Sequence, residues 1–230
     1  MLSDGELMNL YTTKVKQSSE YFTQYYQLPA CPIKSWNYSW QDFDFPRVHA
    51  VLDFRKWIQK HAIAPNALAY TCQTDPELEF ITRASETYLP YPDYDLHTVS
   101  SHHTNEFDFF LFNQTLEHLQ NPYEAMKSIY TTLKPGGYCF TSVPTINIPH
   151  STPYHYGGYN PMGLAVMFRL AGFEVLEVGQ WGNLDYLTTI FARQSWVGFK
   201  TLNRNGQVTN EENNVCQCWI LGRKPSELCV

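Results

Sequence analysis

The stretch that decides the fold is residues 107–143, FDFFLFNQTLEHLQNPYEAMKSIYTTLKPGGYCFTSV. It opens with a nearly continuous apolar run at 107–112, which is typical of a strand buried on both faces of a sheet. A helix is predicted to begin after Asn121, a favoured N-cap residue that is followed by proline, and to end at the Pro-Gly-Gly of 135–137. A second apolar strand follows at 138–143. Strand, helix and strand in this order predict a right-handed parallel crossover in an α/β sheet.

The sequence before this unit predicts a division of the chain into an N-terminal segment and an α/β domain. Apolar spacing predicts a helix over residues 3–27, and the proline- and tryptophan-rich residues 28–46 predict a loop. We therefore interpret residues 1–47 as a lid or an edge cover, and residues 48–230 as the α/β domain. Within that domain, a helix is predicted at 48–61 and the first strand of the sheet at 67–72.

Composition excludes several classes of function. The net charge of -6 and the pI near 5.7 argue against a nucleic-acid-binding protein, which would carry a basic stripe. No run of 18 apolar residues is present, so no membrane span is expected. The N-terminus lacks the basic start and apolar core of a secretory signal. Six scattered cysteines without a C-x-x-C pair predict reduced thiols in a cytoplasmic protein and no zinc site.

Polar and titratable side chains follow the two strands of the central unit. In α/β sheets, ligands bind beyond the carboxyl ends of the strands. Asn113, Gln114, Glu117 and His118 come directly after the first strand, and residues 144–155, which include two histidines, follow the second. The sequence thus predicts a ligand site at this edge of the sheet.

The pattern N-Q-x-L-E-H at 113–118, L-K-P-G-G at 133–137 and V-P at 143–144 resembles the class I S-adenosylmethionine-dependent methyltransferases, in particular their small-molecule and sugar group. The resemblance continues through 154–161 and 172–175 and spans about residues 106–183. It implies a Rossmann-like, mostly parallel sheet flanked by helices, with residues 216–223 as the closing antiparallel strand. It also implies S-adenosyl-L-methionine as the cofactor.

The chain departs from this family in its first half. Methyltransferases follow their first strand with a glycine-rich loop, against which the methionine part of the cofactor packs. Here residues 71–77 read TCQTDPE, and no glycine occurs between Gly5 and Gly136. Only about 35 residues separate the first strand from the strand at 107–112. We therefore expect a shortened middle, with short extended pieces at 88–95 and 96–99.

The resemblance implies a set of cofactor-binding residues. Asp95 is the best match for the carboxylate that holds the ribose hydroxyls, with Asp93 as the alternative, because an ionised carboxylate accepts two hydrogen bonds from a diol. The full predicted set is Tyr70, Cys72, Asp75, Asp95, Leu96, Asn113 and Gln114.

Histidine is the natural candidate for the catalytic base near neutral pH. His118 is the first candidate, because it follows the strand beside which the methyl group lies in the resembling fold. His150 and His155, on the loop after the second strand, are rivals. We predict no metal site, since sequence spacing gives little support to a convergence of His150, His155 and Asp185.

Two functions remain open at this stage. The first is an S-adenosylmethionine-dependent O-methyltransferase acting on a small molecule, with a sugar or glycan hydroxyl as the favoured acceptor. An aromatic content of 16% is high enough to line a pocket for such a ring. The alternative is a methyltransferase-like domain that has lost the cofactor and serves in binding or scaffolding, because a fold alone does not establish an activity.

Overall fold

The computed structural model describes residues 40–150, 154–203 and 208–226, together with eight positions between Ser3 and Thr13. Its centre is a six-stranded sheet in the order β2-β1-β3-β4-β6-β5. The first four strands in space are parallel, and β6 pairs antiparallel with both β4 and β5. The strands are β1 (Ala67–Tyr70), β2 (Ser85–Tyr88), β3 (Phe107–Leu111), β4 (Leu133–Pro144), β5 (Glu174–Gly182) and β6 (Val215–Arg223).

Helices cover both faces of this sheet. They are α1 (Phe45–Lys60), α2 (Pro122–Thr132), α3 (Pro161–Ala171), α4 (Leu184–Arg193) and the short α5 (Phe199–Leu202). One apolar core lies between the sheet and α1 with α4, and a second lies between the sheet and α2 with α3. The predicted mostly parallel α/β sheet with a closing antiparallel strand is therefore confirmed.

The central unit has the predicted order and pairing, but its second strand begins five residues earlier than predicted. The strands β3 and β4 are adjacent and parallel, and α2 crosses between them. The side chain of Asn121 accepts a hydrogen bond from the backbone N–H of Glu124, as an N-cap residue should. Helix α2 ends at Thr132 and β4 begins at Leu133, so the Pro-Gly-Gly of 135–137 lies within the strand. There Gly136 has a φ of 83°, in the left-handed region that glycine adopts without strain.

Helix α1 is buried on all sides over its first ten residues, Phe45 to Phe54. It begins just after Asp44, three residues earlier than predicted, with Pro46 in its first turn. This burial forces the polar residues of the helix to find partners inside the protein. Asp53, for example, accepts a 2.9 Å hydrogen bond from the indole Nε1 of Trp219 in β6.

The shortened middle differs from the prediction. The second strand is Ser85–Tyr88, and residues 91–98 form turns instead of the extended pieces expected at 88–95 and 96–99. The prediction was wrong for two reasons. Strand β2 is a largely exposed edge strand without an apolar pattern. The apolar residues after it, Leu89, Leu96 and Val99, pack in the core and hold turns instead of strands. A 3₁₀ turn at Pro76–Glu79 stands between β1 and β2.

Three sequence predictions concern the ends and the thiols of the chain. The described positions between Gly5 and Thr13 are helical and Ser3 is not, whereas the rest of the predicted 3–27 helix lies outside the described residues. Most of the predicted 28–46 loop also lies outside them, and its last two residues, Phe45 and Pro46, belong to α1. Cys72, Cys139, Cys216 and Cys218 are free thiols. Among the described helices, none combines the length and the apolar character that crossing a membrane requires.

Candidate functional site

Three histidines from two loops meet at the carboxyl ends of β3 and β4. His118 lies in a 3₁₀ turn after β3, and His150 and His155 lie in the loop after β4. The ring centroids are 4.9 Å apart for His118 and His150, 4.6 Å for His150 and His155, and 6.0 Å for His118 and His155. The three candidate bases predicted from the sequence thus form one histidine cluster.

Hydrogen bonds assign a tautomer to two of these rings. The Nδ1 of His118 lies 2.7 Å from the carbonyl oxygen of Tyr154, and the Nδ1 of His150 lies 3.1 Å from that of Ile148. A carbonyl oxygen only accepts, so each Nδ1 carries the proton and each Nε2 keeps a free lone pair. Burial lowers the pKa of His118, which keeps its ring neutral near pH 7. Burial and the two neighbouring histidines lower the pKa of His155 in the same way.

Glu117 is a buried carboxyl group beside this cluster. It is fully buried, and neither of its carboxyl oxygens has a hydrogen-bond partner among the described residues. Its Oε1 lies 3.8 Å from the Nε2 of His118. Burial raises the pKa of Glu117 to about 8. The sequence placed Glu117 at the ligand edge of the sheet but assigned it no catalytic or binding role.

A cavity of about 260 Å³ opens beside the histidine cluster, and we call it the β4 cavity. His150 and Trp196 line it, with the indole Nε1 of Trp196 donating a 2.9 Å hydrogen bond to the side chain of Asn147. Gln114 and Arg47 line the side towards β3 and α1. The cavity is therefore bounded by aromatic, amide and cationic groups together.

The loop that carries His155 is fixed to β4 by a close backbone contact at Gly158. A Cβ on Gly158 would lie 2.1 Å from the carbonyl oxygen of Thr145, whereas a Cβ on Gly157 would meet nothing within 4 Å. We expect Gly158→Ala to lower the free energy of unfolding by about 1–3 kcal/mol, because the backbone of Thr145 must move away. The matched control Gly157→Ala should have little effect. Urea unfolding of both variants tests this, and equal stabilities would contradict the packing described.

A buried ionic network joins α1 to the loop after β1. The guanidinium of Arg47 forms a bidentate ion pair with Glu77 and contacts Asp75 at 3.3 Å. Asp75 accepts a further 3.0 Å hydrogen bond from the amide of Asn113, and the Oδ1 of Asn113 accepts the N–H of Ser142. Burial opposes the charge of Arg47, but the attraction of Glu77 outweighs it and raises its pKa. Burial and the charge of Glu77 raise the pKa of Asp75 to about 7.

The sequence analysis missed Arg47, although it carries a readable signal. Arg47 stands in the stretch FPRVHAVLDF, in which a helix that is otherwise largely apolar contains charged residues. A charge on the buried face of a helix needs a buried partner of opposite sign. Pairing it with Glu77, however, requires knowledge of how α1 crosses the sheet.

A second cavity, of about 390 Å³, lies at the carboxyl end of β1 beside β2, and we call it the β1 cavity. Tyr70 lines it and stacks on Tyr88 with ring centroids 5.3 Å apart. Its charged lining comprises three carboxyl groups and one guanidinium, from Asp75, Glu79, Glu86 and Arg83. Asp75 lines the β1 cavity and its ion-pair partner Arg47 lines the β4 cavity, so this pair stands between the two.

The predicted cofactor residues fall into two groups. Tyr70, Asp75, Asn113 and Gln114 lie together around the ends of β1 and β3, with Cys72 in the connecting loop, where its thiol is 3.2 Å from the hydroxyl of Thr74. Asp95 and Leu96 belong to the turns after β2. Asp95 binds the backbone N–H and the Nδ1 of His97, and Leu96 is buried in the core against α2.

The ring of His97 connects Asp95 to the start of α2. Its Nε2 accepts a 3.2 Å hydrogen bond from the backbone N–H of Asn121. The predicted fallback, Asp93, is exposed in the same turn. The contact between His97 and Asn121 places Asp95 near the ligand edge of the sheet, and which of the two carboxylates contacts a ribose remains a prediction.

Comparison with known proteins places the chain among methyltransferase folds. A family model described as a methyltransferase domain matches residues 36–178. An S-adenosylmethionine-dependent methyltransferase from Archaeoglobus fulgidus is 14% identical, with a TM-score of 0.50 over 77% of this chain and 94% of that one. No curated protein matches the sequence.

A second solved structure is similar over nearly the whole chain. It is the 1,6-didemethyltoxoflavin-N1-methyltransferase of Burkholderia thailandensis, bound to 1,6-didemethyltoxoflavin and S-adenosylhomocysteine. It is 13% identical, with a TM-score of 0.50 over 98% of this chain and 92% of that one. At such identities the likeness concerns the fold.

Proposed function

Because the chain belongs to the methyltransferase-domain family, we propose that it transfers a methyl group from S-adenosylmethionine to an oxygen atom of a small molecule, with a sugar or glycan hydroxyl as the favoured acceptor. The observation that carries this proposal is the histidine cluster beside the β4 cavity, at the carboxyl ends of β3 and β4. A base next to a cavity of this size suits proton removal from a small acceptor.

The lining of the β1 cavity fits the cofactor by charge. S-adenosylmethionine carries a sulfonium, an ammonium and a carboxylate group and is a net cation, and the cavity presents three carboxyl groups against one guanidinium. Tyr70, Asp75 and the loop through Cys72 would hold the methionine part, with Asn113 and Gln114 beside it. The Burkholderia enzyme, whose fold is similar, binds S-adenosylhomocysteine, which supports this assignment.

The proposed chemistry requires one residue to take a proton. The bound cofactor supplies an electrophilic methyl carbon and retains the electron pair of the broken carbon–sulfur bond. As the acceptor oxygen bonds to that carbon, its proton passes to the Nε2 of His118. The carbonyl of Tyr154 holds the Nδ1 proton of His118, which leaves the Nε2 lone pair free to accept the proton.

The choice of a sugar hydroxyl rests on the side chains around the β4 cavity. Trp196 is 45% exposed, and Tyr154 and Tyr156 are also exposed near the histidine cluster. Aromatic faces next to amide groups such as those of Asn147 and Gln114 suit a ring that is apolar on one face and carries hydroxyls at its edge. We propose that residues 1–47 cover this site, because Asp44 and Pro46 already line the cavity.

A second candidate function is supported by the buried network of Arg47. This network joins α1 to the loop after β1, where methyltransferases carry glycine and leave room for the cofactor. A domain that has lost the cofactor and serves in binding or scaffolding would tolerate side chains in the space that the cofactor otherwise occupies. The two candidates differ in whether S-adenosylmethionine binds.

We expect S-adenosylmethionine to bind with a Kd in the micromolar range or weaker, about 8 kcal/mol or less of binding free energy, because the loop after β1 lacks glycine. Asp95→Ala should weaken this binding by about 1–3 kcal/mol, since two ribose hydroxyls would lose a charged acceptor. Titration calorimetry with S-adenosylmethionine and S-adenosylhomocysteine measures both values.

Asp93→Ala is the matched control, since it removes a carboxylate from the same exposed turn. If only Asp93→Ala weakens binding, the ribose contact belongs to Asp93. No heat and no thermal shift at millimolar cofactor, with a folded protein, would refute the enzyme and favour the scaffolding function. If the cofactor binds, transfer of labelled methyl groups to a panel of sugars and other small alcohols tests the acceptor class.

A further inference from the structure

Glu117, His118 and His150 bring three metal-ligating groups to one point. One carboxyl oxygen and one ring nitrogen from each histidine all lie within 4.8 Å of one another. The three residues come from the turn after β3 and the loop after β4, so two separate segments supply them. Two imidazoles and one carboxylate form a ligand set that divalent zinc and its neighbours in the first transition row prefer.

The burial of Glu117 is an independent observation that favours a cation at this point. A fully buried carboxyl group whose two oxygens have no hydrogen-bond partner among the described residues costs stability unless a cation or a donor pairs with it. Its Oε1 already faces the Nε2 of His118 at 3.8 Å. A bound metal ion would satisfy this group from the side of the histidines.

The outer hydrogen bonds of both histidines suit metal binding. Metal-ligating histidines commonly donate their second ring N–H to a carbonyl or a carboxylate, which orients the ring and its lone pair. Here the Nδ1 of His118 donates to Tyr154 and the Nδ1 of His150 donates to Ile148, so Nε2 is free on both rings. The Nδ1 of His155 instead accepts from the backbone N–H of His150 at 3.4 Å, so His155 supports His150.

We propose that Glu117, His118 and His150 bind one divalent transition-metal ion, with its remaining coordination positions open towards the β4 cavity. Ligand atoms about 2.0–2.2 Å from a common ion lie closer together than 4.8 Å, so the side chains must close by small rotations on binding. If the proposed methyl transfer is correct, the ion would lower the pKa of an acceptor hydroxyl bound to it, and the hydroxyl proton would pass to solvent water in the β4 cavity. The Nε2 of His118 would then hold the ion, in place of the role as base that it has in the reaction without a metal.

Titration of chelator-treated protein with zinc chloride, followed by calorimetry, tests this proposal. We expect one equivalent to bind with a micromolar or lower Kd, and cobalt(II) to give the visible absorption of a site with nitrogen and oxygen ligands. Glu117→Gln, which keeps the shape of the side chain, and His150→Ala should each weaken zinc binding by about 100-fold or more. Circular dichroism checks that the variants are folded.

His102→Ala is the matched control, because His102 is an exposed histidine outside the cluster. Binding that is unchanged in Glu117→Gln and His150→Ala, or that falls as far in His102→Ala, shows surface coordination only and overturns the proposal. The proposal is also overturned if the wild-type protein does not bind zinc stoichiometrically. Titration of the same samples with S-adenosylmethionine separates this result from a failure of the proposed function, since either ligand can bind without the other.

Discussion

Replacing His118 by alanine is expected to lower the rate of methyl transfer, kcat, by about 100-fold or more while leaving the Kd for S-adenosylmethionine nearly unchanged. The reason is that the free Nε2 of His118 belongs to the histidine cluster beside the β4 cavity, whereas the groups that we assign to the cofactor lie around the end of β1. The effect follows whether Nε2 takes the proton directly or holds a metal ion. Steady-state kinetics and cofactor calorimetry measure the two quantities separately.

Variants of the neighbouring histidines show which members of the histidine cluster contribute to kcat. A loss of kcat in His118→Ala and His150→Ala but only a small loss in His155→Ala would agree with the hydrogen bonds that leave Nε2 free on the first two rings. His102→Ala, outside the cluster, should retain full activity. Wild-type activity in all three cluster variants would exclude histidine as the base.

The central unit could be predicted because its signals are local. A buried strand, an N-cap followed by proline, and Pro-Gly-Gly after the helix all lie within residues 107–143. Strand β2 could not be predicted in the same way. Its sequence, SETY, is polar and largely exposed, so its place at the sheet edge depends on pairing with β1 and on no pattern of its own.

The sequence predicted the individual histidines of the site but not that they lie together. The sequence indicated His118, His150 and His155 as separate rivals, because 32 residues separate the first two and no pattern reports a contact at that distance. Their meeting depends on β3 and β4 being neighbours, and on Gly158 allowing the second loop to pack against Thr145. The role proposed for Glu117 rests on its burial, which cannot be read from a single sequence.

The network of Arg47 gives the largest expected change in stability. We expect Arg47→Met to lower the free energy of unfolding by about 3–5 kcal/mol, because it leaves the buried carboxylates of Glu77 and Asp75 without their cation. In a chain of this length, that loss lowers Tm by about 10 °C. Lys200→Met, which breaks the exposed ion pair with Asp42, is the matched control and should cost less than about 1 kcal/mol.

The double variant Arg47→Met, Glu77→Leu separates the value of the ion pair from the penalty of an uncompensated charge. Replacing both partners of a buried ion pair by apolar groups is often nearly neutral, so the double variant should recover most of the stability that Arg47→Met loses. Asp75 keeps its hydrogen bond from Asn113 in both variants. Urea unfolding of the two variants measures the recovery. A double variant as unstable as Arg47→Met would instead mean that the guanidinium stabilises the loop after β1 through contacts other than that with Glu77.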